Sequence, residues 1–115
     1  MQPTTVTTTD ASGGTTYSSL VRMDTWAAAQ SVLQVTVTGT ATYTVETSMD
    51  DPNSPTNPVA EGSMTWVDAT DSAVVNKTAK ATGILAATPV FVRLKQTAGN
   101  GSCSMTIAQF GNATY

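Results

Sequence analysis

Residues 33–47 read LQVTVTGTATYTVET, and their alternation of apolar and polar side chains decides the fold class. Leu33, Val35 and Val37 alternate with glutamine and threonine, and the same phase continues beyond Gly39 as far as Thr47. A period of two is typical of a β-strand with one buried face. One unbroken strand from residue 33 to residue 49 would span roughly 55 Å, too long for a domain of this size. We therefore expect two strands that meet near Gly39.

The connection between these two strands is predicted to be a three-residue hairpin loop, Thr38-Gly39-Thr40. Such a loop places Val37 opposite Ala41, so that both apolar rows lie on one face of the hairpin. A two-residue loop would put the rows on opposite faces. The three-residue hairpin is the better interpretation.

Further strands follow at short intervals, separated by residues that favour turns. The segments with strand character are 64–67, 82–86, 90–95 and 102–110. Residues 73–80 fit either a strand or a loose connection. The last two strands flank the Gly99-Asn100-Gly101 turn and are predicted to form a second hairpin. Together these features predict an all-β fold, an antiparallel β-sandwich or jelly roll, whose strand order the sequence leaves open.

The chain divides into an N-terminal arm, residues 1–19, and a single sandwich domain, residues 20–115. The arm is rich in threonine and serine, with Val6 and Tyr17 as its sizeable apolar side chains. A stretch of this composition buries too little surface to order itself alone. Two interpretations stay open: a frayed terminus, or an extended strand that adds to the sheet of a partner.

Composition excludes several function classes. The chain has 115 residues, 11% of them charged, a net charge of −3, no histidine and one cysteine. Ser-His catalysis and a closed zinc site are therefore excluded, and the scattered basic residues form no nucleic-acid patch. There is no apolar run long enough to span a membrane and no signal-peptide pattern. We predict no catalytic residue and no cofactor.

Three groups of residues were candidates for chemistry, and each has a simpler structural interpretation. The acidic residues at 50, 51, 61, 68 and 71 match no calcium-binding loop and fit solvated turns, so no metal site is predicted. Cys103 lacks a neighbouring base or cation and is predicted to be a buried thiol. Trp66 lies in an apolar strand context and is predicted to belong to the core.

Two stretches and one tryptophan resemble a known family. The stretches are residues 35–47 leading into Asp50-Asp51-Pro52, and residues 89–94 followed by the 98–101 turn and residues 105–111. With Trp66, they resemble the head decoration (cement) proteins of short-tailed bacteriophages. The likeness runs from about Leu20 to Gly111 and consists of strand patterns rather than a catalytic signature.

The resemblance implies a non-enzymatic virion protein, made in the host cytoplasm, on the outer surface of the capsid. Proteins of this family bridge neighbouring major capsid proteins and commonly form dimers or trimers. The alternative is a carbohydrate- or receptor-binding module of a phage tail, which needs an exposed aromatic residue, Trp26 or Tyr115.

Contacts with the partner are predicted in the arm and in the proline-rich loop that follows Asp51. The residues concerned are Val6, Thr7, Thr8, Tyr17, Pro52, Pro55 and Pro58. Removal of residues 2–16 is then expected to weaken capsid binding while the domain stays folded.

Overall fold

The computed structural model of the chain describes residues 3–24, 29–85 and 89–111, apart from the side chains of residues 29, 110 and 111. Trp26 and Tyr115, the aromatic residues that the tail-module alternative needs, lie outside the described residues. The strands are β1 (Thr4–Thr9), β2 (Thr16–Tyr17), β3 (Val21–Arg22), β4 (Ala29–Thr38), β5 (Thr42–Ser48), β6 (Val67–Asp68), β7 (Ala81–Leu85), β8 (Phe91–Ala98) and β9 (Ser102–Gly111). Two short 3-10 turns, Glu61–Ser63 and Ser72–Val74, lie on either side of β6.

The strands form two antiparallel sheets that pack as an all-β sandwich, as predicted. The first sheet has the order β1-β9-β4-β7. The second sheet has the order β2-β8-β5-β6, and β3 also pairs with β8. The inward side chains of both sheets form one hydrophobic core. Its fully buried members include Leu33 and Val35 from β4 and Tyr43 and Val45 from β5.

Both predicted hairpins are wrong. β4 pairs with β9 and β7, whereas β5 pairs with β8 and β6, so the Gly39 turn carries the chain from one sheet to the other. The Gly99-Asn100-Gly101 turn does the same between β8 and β9. These connections are arches rather than hairpins. The alternation of apolar and polar residues is compatible with both connections. In a hairpin the two apolar rows face the core from one sheet, whereas in an arch they face the same core from two opposite sheets.

The two arches lie against each other with almost no space between their backbones. A β-carbon on Gly99 or on Gly101 would collide with a backbone carbonyl of the neighbouring arch, that of Thr40 and that of Thr38 respectively. Gly99 also has φ = 95°, which favours glycine. Gly101 N donates a hydrogen bond to Thr40 O at 2.8 Å. Glycine at both positions is therefore a requirement of the stacked arches.

Gln96 ties the β8–β9 arch to the N-terminal strand. Its side chain is fully buried, and Nε2 donates to Gly99 O at 3.1 Å and to Gly101 O at 3.0 Å. Its Oε1 accepts a hydrogen bond of 2.8 Å from the hydroxyl of Thr8. A buried amide with these partners satisfies its main hydrogen-bonding groups. No pattern in the sequence indicates this role.

The N-terminal arm of the prediction is built into the sandwich over part of its length. β1 pairs with β9 of the same chain over its whole length, Thr4 opposite Ile107 and Thr9 opposite Ser102. Tyr17, at the other end of the arm, pairs with Lys95 of β8. Removal of residues 2–16 would take an edge strand and the Thr8 hydroxyl away from the sandwich. Point substitutions are therefore a cleaner test of this segment.

Replacement of Gln96 by leucine is expected to destabilise the protein by about 3 kcal/mol, because the Thr8 hydroxyl and two arch carbonyls lose a buried partner. The measurement is the free energy of unfolding in urea. The control is Gln34→Leu, at an exposed position of β4, with an expected change within about 0.5 kcal/mol. Equal effects of the two substitutions would contradict the role assigned to Gln96.

Candidate interaction surface

The outward side chains on the described strands of the first sheet carry no charge, and Lys80, directly before β7, borders them beside Thr36. Strand register places the outward side chains of its four strands side by side: Thr5, Thr7 and Thr9 of β1, Ser102, Ser104, Thr106 and Ala108 of β9, Gln30, Val32, Gln34, Thr36 and Thr38 of β4, and Thr82 and Ile84 of β7. Every one of them is hydroxyl-bearing, amide or apolar. We call this set the uncharged face.

Hydroxyl groups on the uncharged face bond to one another across the strands. Thr5 Oγ1 and Thr106 Oγ1 are 2.9 Å apart, and Thr7 Oγ1 and Ser104 Oγ are 3.2 Å apart. Cross-strand threonine and serine pairs of this kind stabilise a sheet modestly. They also give the face a regular and partly satisfied polar surface.

A shallow pocket of about 160 Å³ opens at one end of the uncharged face. It is lined by Pro3, Val32, Leu33, Gln34, Thr82, Thr106 and Ala108. Ile84, which is 48% exposed, lies beside Val32 in the neighbouring strand. The pocket is large enough for an apolar side chain and too small for a drug-sized ligand.

The outer face of the second sheet has the opposite character, because a cation is stacked between two aromatic rings. The Arg93 guanidinium carbon is 4.0 Å from the ring centre of Tyr17 and 4.1 Å from that of Trp66. Glu46 accepts a hydrogen bond of 2.9 Å from Arg93 Nε and pairs with Lys95 at 3.5 Å. The buried Glu46 carboxylate is thus paired with two cations, one of which also contacts both rings.

The prediction that Trp66 belongs to the core is wrong, since its ring is half-buried on this outer face. The apolar residues beside it in sequence suggested a buried strand, but β6 begins only at Val67 and its two residues are exposed. Tryptophan binds a cation through its ring face, and no sequence pattern links Trp66 to Arg93, 27 residues away.

The structure separates the predicted partner-binding residues into three places. Thr7 lies on the uncharged face, and Tyr17, 51% exposed, lies on the other outer face. Val6 packs against the core and Thr8 is buried, so contact of their side chains with a partner would require β1 to leave β9. Their partner-binding role stays a prediction.

The proline-rich loop is anchored to the second sheet at one point. Arg22 donates to both carboxylate oxygens of Asp51, at 3.1 and 2.9 Å. Val59 N donates to the backbone oxygen of Asp51 at 3.1 Å and closes the loop. Beyond this anchor Pro52 is half-buried, and Pro55 and Pro58 are exposed. The loop is thus attached to β3 of the second sheet, the sheet to which Tyr17 also belongs.

Three of the acidic residues considered as calcium ligands, Asp50, Asp51 and Asp71, act as hydrogen-bond acceptors. Asp71 accepts from the backbone of Ala73 and Ile84, at 3.0 and 2.9 Å, and Asp50 accepts from Thr65 N at 2.6 Å. Among the described residues, no three acidic, cysteine or histidine side chains are grouped as a metal site would need.

Cys103 is buried, as predicted. Burial raises the pKa of its thiol, and a hydrogen bond with Thr8 opposes this shift in part. A raised pKa keeps the sulfur in the unreactive thiol form near neutral pH.

In the residues that the structure describes, no helix is long and apolar enough to cross a membrane.

Comparisons with known proteins add no family to the fold class described above. Neither the scan against protein-family models nor the searches of curated proteins and of solved structures found a match to this chain. The described geometry therefore defines an all-β antiparallel sandwich with two chemically different outer faces. The resemblance to phage decoration proteins stays a prediction.

Acid is expected to destabilise the fold as the pH falls below about 4. Hydrogen bonds hold the pKa of Asp10, Asp51 and Asp71 below the usual 3.8 in the folded protein. Their contribution to stability is complete above the unfolded pKa and is lost as the pH falls through the lower folded values. The measurement is the thermal midpoint between pH 7 and pH 2.5. Asp71→Asn should flatten this dependence.

The matched control for this series is Asp68→Asn. Asp68 is an exposed carboxylate of β6, and its side chain has no hydrogen bond to the described backbone. An equally steep acid transition in Asp71→Asn and in the unsubstituted protein would show that the two backbone bonds to Asp71 contribute nothing.

Proposed function

We propose that this chain is a non-enzymatic structural protein of a bacteriophage virion, a decoration protein that binds the outside of the head. In this proposal it bridges neighbouring major capsid proteins and stabilises the mature shell. The sequence resemblance suggests the family, and the uncharged face supplies a surface suited to the role. The protein would be made in the host cytoplasm and carried on the virion surface.

The observation that carries the proposal is the uncharged face. A surface of hydroxyl, amide and apolar groups loses less hydration energy on burial than a charged surface of equal area. Its cross-strand hydroxyl pairs keep their partners when water is excluded. The pocket beside Val32 offers a place for one apolar side chain of the capsid protein. The face thus has the properties of a docking surface.

The size of the uncharged face sets the strength of each contact. Four strands about 4.8 Å apart, with a longest strand of about 33 Å, give a face of roughly 500 Å². A standard protein interface buries about 800 Å² on each partner. One copy is therefore expected to bind weakly through this face alone. The proline-rich loop and Tyr17, on another side of the molecule, would contact a second capsid subunit.

Stabilisation of the shell then follows from mass action. A protein that binds the mature lattice and not the immature or disassembled subunits lowers the free energy of the mature lattice. Shell symmetry repeats the same contact at every equivalent site. Weak binding at each site is sufficient for a large total effect.

A carbohydrate- or receptor-binding tail module is the alternative, and one observation favours it: Tyr17 and Trp66 lie on the same outer face. Arg93 occupies one face of each ring, which leaves less aromatic surface for a sugar. Titration with host polysaccharide, followed by tryptophan fluorescence, separates the two functions. Saturable quenching would favour the tail module.

The number of copies per purified virion, relative to the major capsid protein, is expected to be a simple fraction of the number of shell subunits. Quantitative mass spectrometry of particles measures this ratio directly. A handful of copies per particle would place the protein in the tail and contradict the proposal. Absence from particles would refute both functions.

Thr36→Lys is expected to weaken binding to mature heads at least tenfold, because a lysine placed on the uncharged face, next to the bordering Lys80, must lose its hydration against the capsid. The assay is co-sedimentation of purified protein with undecorated heads. The control is Thr15→Lys, which adds the same charge at an exposed position directly before β2. Both variants should unfold within about 0.5 kcal/mol of the parent. Equal binding by both would exclude this face.

A further inference from the structure

The sandwich has four sheet edges. In the described residues, three of them are covered or interrupted, and the fourth, β1, is neither. An unprotected edge strand presents a row of free backbone groups that can pair with another chain. The end of the first sheet at β7 is covered: Asp71 Oδ2 accepts from Ile84 N at 2.9 Å, and the Ser72–Val74 turn packs on Gly83. This edge is closed to further pairing at its centre.

Both edges of the second sheet are also interrupted. On one side, β2 and β3 have two residues each, and between them Leu94 N donates to the hydroxyl oxygen of Ser18 instead of to a backbone carbonyl. On the other side, β6 has two residues, and a lone bridge joins Tyr43 to Lys77. Short, broken edge strands are a common means of preventing unwanted association.

By contrast, β1 is a continuous edge strand of six residues without charge or proline. Pro3 precedes it, and Asp10, with φ = 46°, ends it. Among the residues that the structure describes, β1 pairs with β9 on one side and with no strand on the other.

The backbone groups on this open side belong to Thr5, Thr7 and Thr9. Asp10 N donates to Gly101 O, in the same register as the β1–β9 pairs. In an antiparallel ladder, hydrogen-bonded pairs alternate along each strand. Val6 and Thr8 therefore bond to β9, whereas the N–H and C=O groups of the three odd-numbered threonines point away from the sheet.

We propose that two copies of this chain pair antiparallel through their β1 edges, about a two-fold axis at Thr7. Thr7 then lies opposite Thr7 of the second copy, and Thr5 lies opposite Thr9 at both ends. These three pairs close about six backbone hydrogen bonds. The two first sheets become one continuous sheet, and the uncharged faces of the two copies become one surface.

The absence of charge on β1 is what selects a second copy as the occupant. A two-fold axis brings each central side chain against its own equivalent, so a lysine or glutamate there would face a like charge. Threonine pairs are favourable opposite one another on a sheet. The outward backbone groups of Thr5, Thr7 and Thr9 lie between Pro3 and Asp10, the two residues that bound the strand. This inference does not depend on the capsid role.

The test is sedimentation velocity over a range of concentrations with three proteins. The parent chain should reach about twice its 11.9 kDa mass. Thr7→Pro should stay at the single mass, because proline removes the central outward N–H and spares the bonds to β9. Thr7→Val keeps that N–H, loses the Ser104 contact, and should dimerise like the parent. A monomeric parent at every concentration, or a dimeric Thr7→Pro, would overturn the proposal.

Amide hydrogen exchange of the unsubstituted protein gives a second test that does not depend on the folding of a variant. The amides of Thr5, Thr7 and Thr9 should be protected at concentrations where the chain is dimeric and should exchange at least tenfold faster on dilution. The amides of Val6 and Thr8 should stay protected throughout, since they bond to β9. Fast exchange of the three outward amides in the dimer would refute pairing through this edge. Protection that arises only on capsid binding would assign the edge to a capsid strand instead.

Discussion

The hydrogen bonds of the buried Gln96 amide join the β8–β9 arch to β1, which is 88 residues away in sequence. Its nitrogen binds two carbonyls of the β8–β9 arch, and its oxygen binds the hydroxyl of Thr8 in β1. Because an unpaired amide in a core is costly, the arch and β1 can take few other positions once Gln96 is buried. The packing of Gly99 and Gly101 against the β4–β5 arch fixes the remaining contact.

The first sheet keeps one register from this junction onward, with Thr38 opposite Ser102 immediately beside the arches. In the second sheet Thr42 lies opposite Ala98, and a β-bulge after Thr42 then places Tyr43 opposite Gln96. A slip of one residue in either sheet would turn its apolar row outward. The register on each side of the junction therefore decides which side chains enter the core and which form the outer faces.

The two outer faces acquire different chemistry from the same alternation. In the first sheet the outward positions hold threonine, serine, glutamine and small apolar residues, which leave a face that is cheap to desolvate. In the second sheet they hold Arg93, Lys95 and Glu46. Glu46 forms ion pairs with both cations, and Arg93 also stacks on Trp66. The proposed dimer would join two uncharged faces across β1 and roughly double the area available to a capsid lattice.

The period of two and the spacing of turn residues were sufficient to predict an all-β sandwich, the approximate bounds of β4, β5, β7, β8 and β9, and the burial of Cys103. Alternation depends only on whether a side chain points toward the core, which is a local property of an extended strand. Strand partners are not local. A three-residue hairpin and an arch bury the same residues, and the close approach of Gly99 and Gly101 to the other arch decides for the arch. The place of β1 on β9, the role of Gln96 and the stacking of Trp66 on Arg93 all join residues far apart in sequence, so only the tertiary structure decided them.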